Sequence, residues 1–574
     1  MTSSVSPASF AARPARLKQK TTSRRTWLLW YNVTAMKQLY DKNYTLSQNG
    51  YQLLLPLNLE CIIPSDDKVR LLSQFVEELD LTDLYRTYNR VRKSSATPKQ
   101  MLKVVLYAHM CRIYSSRDIE SSCRRDINFM YLLEGSTAPD HATIARFIYL
   151  HFAELAEKFL AAMSEWLFEH GEISGVDIFI DGTKIESCAN KYTFVWKKAV
   201  TKSLNKLFEK ITAFVDQCEV LYGMKIVYNG EVSLHTLKRL RKKLYKVKAE
   251  EGIAFVYGIG HRKSQLQKSV EELEYHIDKL KEYVHKLHVC GDRNSYSKTD
   301  PDATFMRMKE DAMLNGQLKP GYNLQHGVDS EYIIWLTLGP QPTDTTTLIP
   351  FMKSMESHLS FKYTNVVADA GYESEENYLY LEENGQVAFI KPSNYEISKT
   401  RKYQHDISRV ENMEYDSEKD CYTCTQGRTL ELTGTKHSRT RSGYVREISI
   451  YSCSDCSDCL NKRNCIKGNN CKTPLEERCK VLNVSKVFAQ KRKECLKRIV
   501  SDEGSKLRMN RSIQAEGSFS GIKDGMEFRR YRSRGKKNVL AESILIAMAR
   551  NLNKLHVKIQ SGKTGTHLFE LKSA

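Results

Sequence analysis

Apolar residues recur at helical spacing through the first third of the chain. Leu71, Leu72, Phe75, Val76 and Leu79 step by three and four, which predicts a helix with one buried face. The same spacing predicts apolar helices over 101–113 and 144–168. Residues 66–165 therefore read as helical. The pattern then changes. Val176-Asp177-Ile178-Phe179-Ile180-Asp181 is short, β-branched and aromatic, and closes on Gly182. That composition predicts a buried strand.

Residues 200–290 return to helix. Leu266, Val270, Leu273, Ile277, Leu280, Val284 and Leu287 form an unbroken heptad seam. A shorter basic helix over 234–247 is a candidate partner, with Gly252, Gly258 and Gly260 marking the turn. An inserted antiparallel hairpin is the first reading, and an intermolecular coiled coil competes with it. After Pro301, strands are predicted at 332–338, 365–369 and 386–391, with helices at 344–358 and 373–384. Residues 401–484 are polar and Cys-rich, and 486–516 and 538–559 are helical. This alternation predicts an α/β domain with a mixed sheet flanked by helices. The plan is a basic flexible leader at 1–35, a helical N-terminal domain at 36–165 and an α/β domain built from 170–199, 300–400 and 485–560. Helical (200–299) and Cys-rich (401–484) insertions and a tail (561–574) complete it.

Composition narrows the class. At 574 residues the chain is too long for one core. Its longest early apolar cluster, Trp27-Leu28-Leu29-Trp30-Tyr31, is too short to span a membrane, and no small-residue cleavage site follows it. The expectation is a cytoplasmic protein with no membrane partner. Lys and Arg outnumber Asp and Glu by 88 to 68, a net +20. Such a surplus points to a polyanion, usually nucleic acid, with a merely basic soluble surface as the alternative. The leader carries six Lys/Arg and no acid, and reads as an upstream start or a disordered arm before Met36. The helical region after it is a candidate for DNA binding or dimerisation.

Asp181 and Asp369 each close an apolar strand, and acids so placed reach a shared crevice. Glu516 falls on a predicted helix with Lys523 seven residues on, two turns along one face. Three gathered carboxylates repel unless cations bind them. Two Mg²⁺ ions would satisfy them and clamp a phosphodiester for in-line attack, with Lys523 on the bound strand. Taken singly, each of the 68 acids reads more readily as a cap or turn former. Spacing does not select this trio.

Phe528-Arg529-Arg530-Tyr531-Arg532-Ser533-Arg534-Gly535-Lys536-Lys537 holds six cations in ten residues. Guanidinium groups match phosphates, and Tyr531 is a candidate to stack on an unpaired base. A solvated turn is the alternative. Fifteen cysteines are present, nine of them between Cys421 and Cys495. The spacing Cys453-x2-Cys456-x2-Cys459-x5-Cys465, with Cys424 before it, suits a zinc knuckle. Reduced thiols without metal compete with that reading.

The run Asp181-Gly182-Thr183-Lys184-Ile185-Glu186, continuing through Asn190-Lys191-Tyr192-Thr193-Phe194, resembles the first acidic motif of bacterial insertion-sequence DDE transposases. Asn365-Val366-Val367-Ala368-Asp369-Ala370-Gly371-Tyr372 resembles their second. Arg511-Ser512-Ile513-Gln514-Ala515-Glu516-Gly517-Ser518-Phe519, with Gly521-Ile522-Lys523, resembles their third. The resemblance extends to Arg534-Gly535-Lys536-Lys537-Asn538, Asn551-Leu552-Asn553-Lys554-Leu555, Ser115-Ser116-Arg117 and Pro139-Asp140-His141, so it covers most of the chain from Met36. It implies an RNase H-like fold and Asp181, Asp369 and Glu516 as catalytic ligands of Mg²⁺ or Mn²⁺. It implies cleavage at transposon ends and strand transfer into target DNA, by a homodimer on double-stranded DNA in the bacterial cytoplasm and nucleoid. Arg511, Lys523, Arg529, Arg530, Arg532, Arg534, Lys536 and Lys537 are the expected DNA contacts. The family places a Tyr and an Arg one and two turns before the Glu. That count falls here on Met509 and Ser512, with Arg511 one residue away. Glu186 reads as a structural residue at the edge of the site. A nuclease that only cuts, and an inactive DNA-binding derivative, are the rivals.

Overall fold

A computed structural model describes residues 62–89, 95–228, 230–308, 316–440, 442–468, 471 and 473–570. The basic leader lies outside the described residues. The elements below belong to one unit, Pro64–Ala574.

The N-terminal helices follow the apolar spacing. In α1 (Lys68–Glu78), Asp67 caps the first turn by accepting from the Val69 N–H, and Val69, Leu72, Phe75 and Val76 are buried. In α2 (Pro98–Met110), Thr97 and Gln100 form a capping box around Pro98 at the first helical position, a self-contained start signal. Nearly every α2 side chain is buried, because the helix packs between its neighbours and the C-terminal helix. A π turn, Phe147–Phe152, leads into α3 (Ala153–Glu169).

The central sheet has the order β4-β5-β1-β7-β8, with β6 also pairing β5. The strands are β1 (Asp177–Glu186), β4 (Thr304–Arg307), β5 (Leu318–Asp329), β6 (Tyr332–Gly339), β7 (Asn365–Ala368) and β8 (Val387–Ile390). A separate two-stranded ladder pairs β2 (Phe194–Trp196) with β3 (Ser295–Ser297). β1, β7 and β8 run parallel, whereas β4, β5 and β6 are joined antiparallel and β5 runs antiparallel to β1. The sheet is mixed, as the alternation predicts. β5 was not anticipated. It is buried on both faces for ten residues, although it carries Asn323, Gln325 and His326.

Between β2 and β3 lie α4 (Lys197–Tyr222), α5 (Leu234–Glu250) and α6 (Gln265–Cys290). Leu266, Val270, Leu273, Ile277 and Leu280 of the seam pack with Ile211, Phe214 and Val215 of α4 and Leu237, Leu240 and Leu244 of α5. The seam is filled from within the chain by two helices. The hairpin reading lacked α4, and Val284 is exposed.

After β8 and two short helical turns comes a five-stranded antiparallel sheet, order β13-β12-β11-β10-β9. Its strands are β9 (Glu414–Asp416), β10 (Cys421–Thr423), β11 (Thr429–Arg439), β12 (Val445–Cys453) and β13 (Val481–Val484). Flanking the central sheet are α7 (Leu348–Glu356), α8 (Glu375–Glu383), α9 (Lys486–Val500), α10 (Asp502–Arg511) and α11 (Lys536–Gln560). The single helix expected over 486–516 is broken at Ser501, whose extended backbone and side chain cap α10 through the Gly504 N–H. α11 lies against β6, where Asn551 donates to Ile333 O at 2.8 Å and accepts from Ile333 N at 2.9 Å. Those bonds satisfy a buried edge of the sheet.

Candidate active site

β7 pairs with β1 only as far as Ile180 and Ala368. Beyond that point β1 runs on beside β5 to Glu186, past the Gly182 end expected from sequence. A crevice therefore opens where β7 stops, and Asp181 and Asp369 are its next residues on either side. Asp369 caps a short 3₁₀ turn, accepting from Gly371 N at 2.8 Å. Asp181 accepts from Gly182 N at 2.9 Å. Glu516 closes a π turn, Ser512–Glu516, that continues α10.

The three acids come from separate elements and meet at one guanidinium. Arg511 Nη2 lies 2.9 Å from Asp181 Oδ1 and 3.9 Å from Asp369 Oδ2, and its Nη1 lies 3.4 Å from Glu516 Oε1. Arg511 thus stands among the acids. Burial pushes the Asp181 carboxyl above the usual range. Arg511 pulls it down, and the negative charge of Asp369 pushes it up again. Desolvation wins because the Asp181 side chain is only 15% exposed, against 40% for Asp369 and 59% for Glu516. Arg511 Nε is buried with no hydrogen-bond partner among the described residues.

The π turn explains the register of this motif. Counting by α-helical turns places the residue before Glu516 at Ser512. A π turn bonds i to i+5, so Arg511 lies one turn ahead of Glu516 on the same face. Lys523 sits, half-buried, in a second π turn, Gly521–Gly525. An α turn, Gly517–Ser520, followed by this π turn replaces the regular helix that the seven-residue spacing assumed.

Several neighbours escaped the sequence reading. Asp344 Oδ1 accepts from Asn323 Nδ2 at 2.7 Å and from Gln325 Nε2 at 3.0 Å. The Tyr372 hydroxyl donates to Gln325 Oε1, and Thr345 Oγ1 donates to Gly371 O at 3.0 Å. This network ties the turn carrying Asp369 to β5, which flanks Asp181. His326 is the Cα partner of Asp181 across the ladder. It is fully buried, stacks on Phe519 at 4.4 Å and pairs with Ser518 Oγ at 3.2 Å. Burial, Arg550 and Lys523 hold its pKa well below the ordinary value, so it packs as a neutral ring under the segment that follows Glu516. No motif spacing marks Asn323, Gln325, His326, Asp344 or Thr345, because each acts through a contact distant in sequence.

Gly182 has a steric reason. A Cβ there would lie 2.5 Å from Gln325 Nε2 and 2.8 Å from Asp344 Oδ1. Gly182→Ala is expected to destabilise the protein by roughly 1–3 kcal/mol, the range for overpacking, and to slow catalysis by displacing this network. A thermal melt and a turnover rate both equal to wild type would remove the steric argument.

The basic segment runs along the end of β1. Tyr531 N donates to Glu186 O at 2.9 Å. Phe528, Tyr531 and Ser533 face inward, while all six cations are exposed. Tyr531 is 1% exposed, with its hydroxyl on Ser543 Oγ at 2.9 Å. It is a core residue and cannot stack on a base. Arg530 donates to Ser187 O and Ala189 O, Arg534 to Cys188 O, and Arg529 and Lys537 pair with Asp524 and Glu154. Glu186 pairs with Lys319 at 3.0 Å.

As they stand, no three His, Cys, Asp or Glu side chains among the described residues could hold a metal ion. The carboxylates of Asp181, Asp369 and Glu516 nonetheless gather in one place. All reach a single cation, and that cation keeps an unsatisfied buried nitrogen. Cys424, Cys453, Cys456, Cys459 and Cys465 line a second place, a cavity of about 20 Å³ in the Cys-rich region. No helix among the described residues is long and apolar enough to cross a membrane.

Two family models match the chain. The Transposase DDE domain matches residues 423–556, a stretch that includes Glu516 and the basic segment and leaves out Asp181 and Asp369. The Transposase domain (DUF772) matches residues 57–149, in the N-terminal helices. No curated protein and no solved structure matches. Transposase domains are thus recognised in both the N-terminal and the C-terminal parts of the chain, which supports a DDE transposase of the insertion-sequence kind, a family whose members cleave nucleic acid and transfer strands with divalent metal.

Proposed function

We propose that the crevice at Asp181, Asp369 and Glu516 is the site of DNA cleavage at transposon ends and of strand transfer into target DNA. One observation carries the reading: carboxylates from β1, the end of β7 and the turn after α10 all reach one guanidinium. The strand order, three parallel strands joined to an antiparallel edge, supports an RNase H-like domain. In this reading the three acids hold two Mg²⁺ or Mn²⁺ ions. Such ions, when bound, neutralise charge on the phosphodiester and activate the attacking hydroxyl. The chain supplies the rest. The Asn323–Gln325–Asp344–Tyr372 network holds Asp369 in register with Asp181. His326 and Gln514, which accepts from Glu331 N at 2.9 Å, seat the segment bearing Glu516 on the sheet.

Duplex DNA is the partner that the charges favour. Arg529, Arg530, Arg532, Arg534, Lys536 and Lys537 are exposed in the segment that runs along the end of β1, and Lys523 lies half-buried in the π turn Gly521–Gly525. Arg511 becomes available to the DNA backbone once metal takes its place. α5 adds a second basic surface, with Lys238, Arg239, Lys242 and Lys246 exposed. A homodimer on paired ends, working in the bacterial nucleoid, completes the proposal, which also includes a structural zinc on the cysteines.

The test is cleavage of labelled duplex carrying the element's own ends, with Mg²⁺, Mn²⁺ or EDTA, followed by joining of a pre-nicked end to plasmid. Metal-dependent cutting and joining are expected. Cutting without joining would leave a nuclease, and neither would leave a DNA-binding derivative.

A further inference from the structure

The connection from Cys453 to Val481 holds little to fold around. It contains one helical turn, Lys462–Cys465, and one 3₁₀ turn, Leu475–Glu477. Among its described residues after Cys453, only Cys456 and Lys462 are buried, and Leu460 is 98% exposed. A segment with so small a core needs a staple. The cysteines of the 20 Å³ cavity come from three places: the β10–β11 turn, the end of β12 with its continuation, and the helical turn. The space suits one water or one ion. Arg428, Lys462 and Lys480 line it as well, and such cations favour thiolates. Lys480 N donates to Cys456 Sγ at 3.5 Å.

The five thiols are not equivalent. Cys453 Sγ donates to Asp455 O at 3.1 Å, which turns its proton toward the backbone. We propose that Cys424, Cys456, Cys459 and Cys465 bind one structural Zn²⁺, with Cys453 outside the ligand set. Four thiolates make a closed tetrahedral site with no open position for chemistry. The thiols line the cavity short of ligand geometry, so binding turns them inward about their Cα–Cβ bonds and releases their protons. The ion would fasten the connection to the β10–β11 turn. This inference does not depend on the DNA-cutting reading.

The experiment is elemental analysis of the purified full chain, without chelator, beside a count of reactive thiols in denaturant. Wild type and Cys453→Ser are expected to carry about one zinc per chain, as a closed four-thiolate site requires. Cys459→Ser and Cys465→Ser are expected to lose it, and wild type should show all 15 thiols. Wild type without zinc, or with thiols missing as disulfides, overturns the site. Zinc lost from Cys453→Ser overturns the ligand set. If the ligand variants are insoluble, wild type and Cys453→Ser still decide both points.

Discussion

Alanine at Asp181, Asp369 or Glu516 is expected to abolish metal-dependent cleavage while leaving DNA binding in place. The three carboxylates are the concentrated negative charge of the crevice, and each comes from a different element. Losing one leaves two, which hold a pair of divalent ions poorly. The expected loss is roughly 10³-fold or more in rate, or about 4 kcal/mol of transition-state stabilisation. Binding should hold or tighten slightly, because a negative charge near the DNA backbone has been removed. Asp369→Asn keeps the shape and the bond from Gly371 N while removing the charge. It should be as inactive as the alanine variant, since the lost property is charge. Glu186→Gln is the internal control: its carboxylate pairs with Lys319 at the edge, and its rate should stay within a few-fold of wild type. A triad variant that keeps a tenth of the wild-type rate would remove that acid from the site. Loss of binding together with cleavage would point to misfolding.

Asp181 and Asp369 stood out as acids closing apolar strands, but only the family resemblance singled out these two and Glu516 from the other acids, since each alone reads more readily as a cap or turn former. What joins them was not legible. β5 supplies Asn323, Gln325 and His326 and flanks Asp181, yet with Gly321, Gly327 and those polar residues it carries no apolar strand pattern. The structure shows why those residues sit in a strand. A Cβ at Gly327 would lie 2.7 Å from Phe351 and 2.8 Å from Ile178, so the glycine lets α7 close on the sheet. The polar side chains are buried because they bond one another around Asp344 and Tyr372. Binary pattern marks strands that face apolar neighbours, and it is silent where the neighbours form a polar site. The helical insertion shows the opposite case. Its heptad seam was plain, but periodicity does not say which helix fills it. Nor does sequence spacing reveal a change of helical pitch, and the π turn before Glu516 displaced Arg511 from its counted position. Tyr531 beside six cations invited a stacking role, until burial placed it in the core.

Removing Arg511 should lower the stability of the metal-free protein and make the fold depend strongly on added metal. Arg511 is the cation that the three acids share, and its side chain is 16% exposed. In Arg511→Ala the buried Asp181 faces Asp369 and Glu516 with nothing between them. Breaking a buried pair costs about 3–5 kcal/mol, and the exposure of the other two acids puts this case near about 3 kcal/mol. The metal-free melting temperature should therefore fall. Mg²⁺ or Mn²⁺ should restore it, since an ion that binds only the folded site stabilises it by mass action. The ions should also bind the variant more tightly, because they no longer displace a guanidinium. A relief of about 1.4 kcal/mol would lower the half-saturating metal concentration tenfold. Arg511→Lys should fall between the two, since an ammonium keeps the charge but lacks the planar fork that spans three carboxylates. Equal metal-free melting temperatures for Arg511→Ala and wild type, with equal metal titrations, would mean that Arg511 does not neutralise the site. A lower melting temperature that metal fails to raise would mean that Arg511 is a structural anchor, and that the carboxylates gather for a reason other than binding cations.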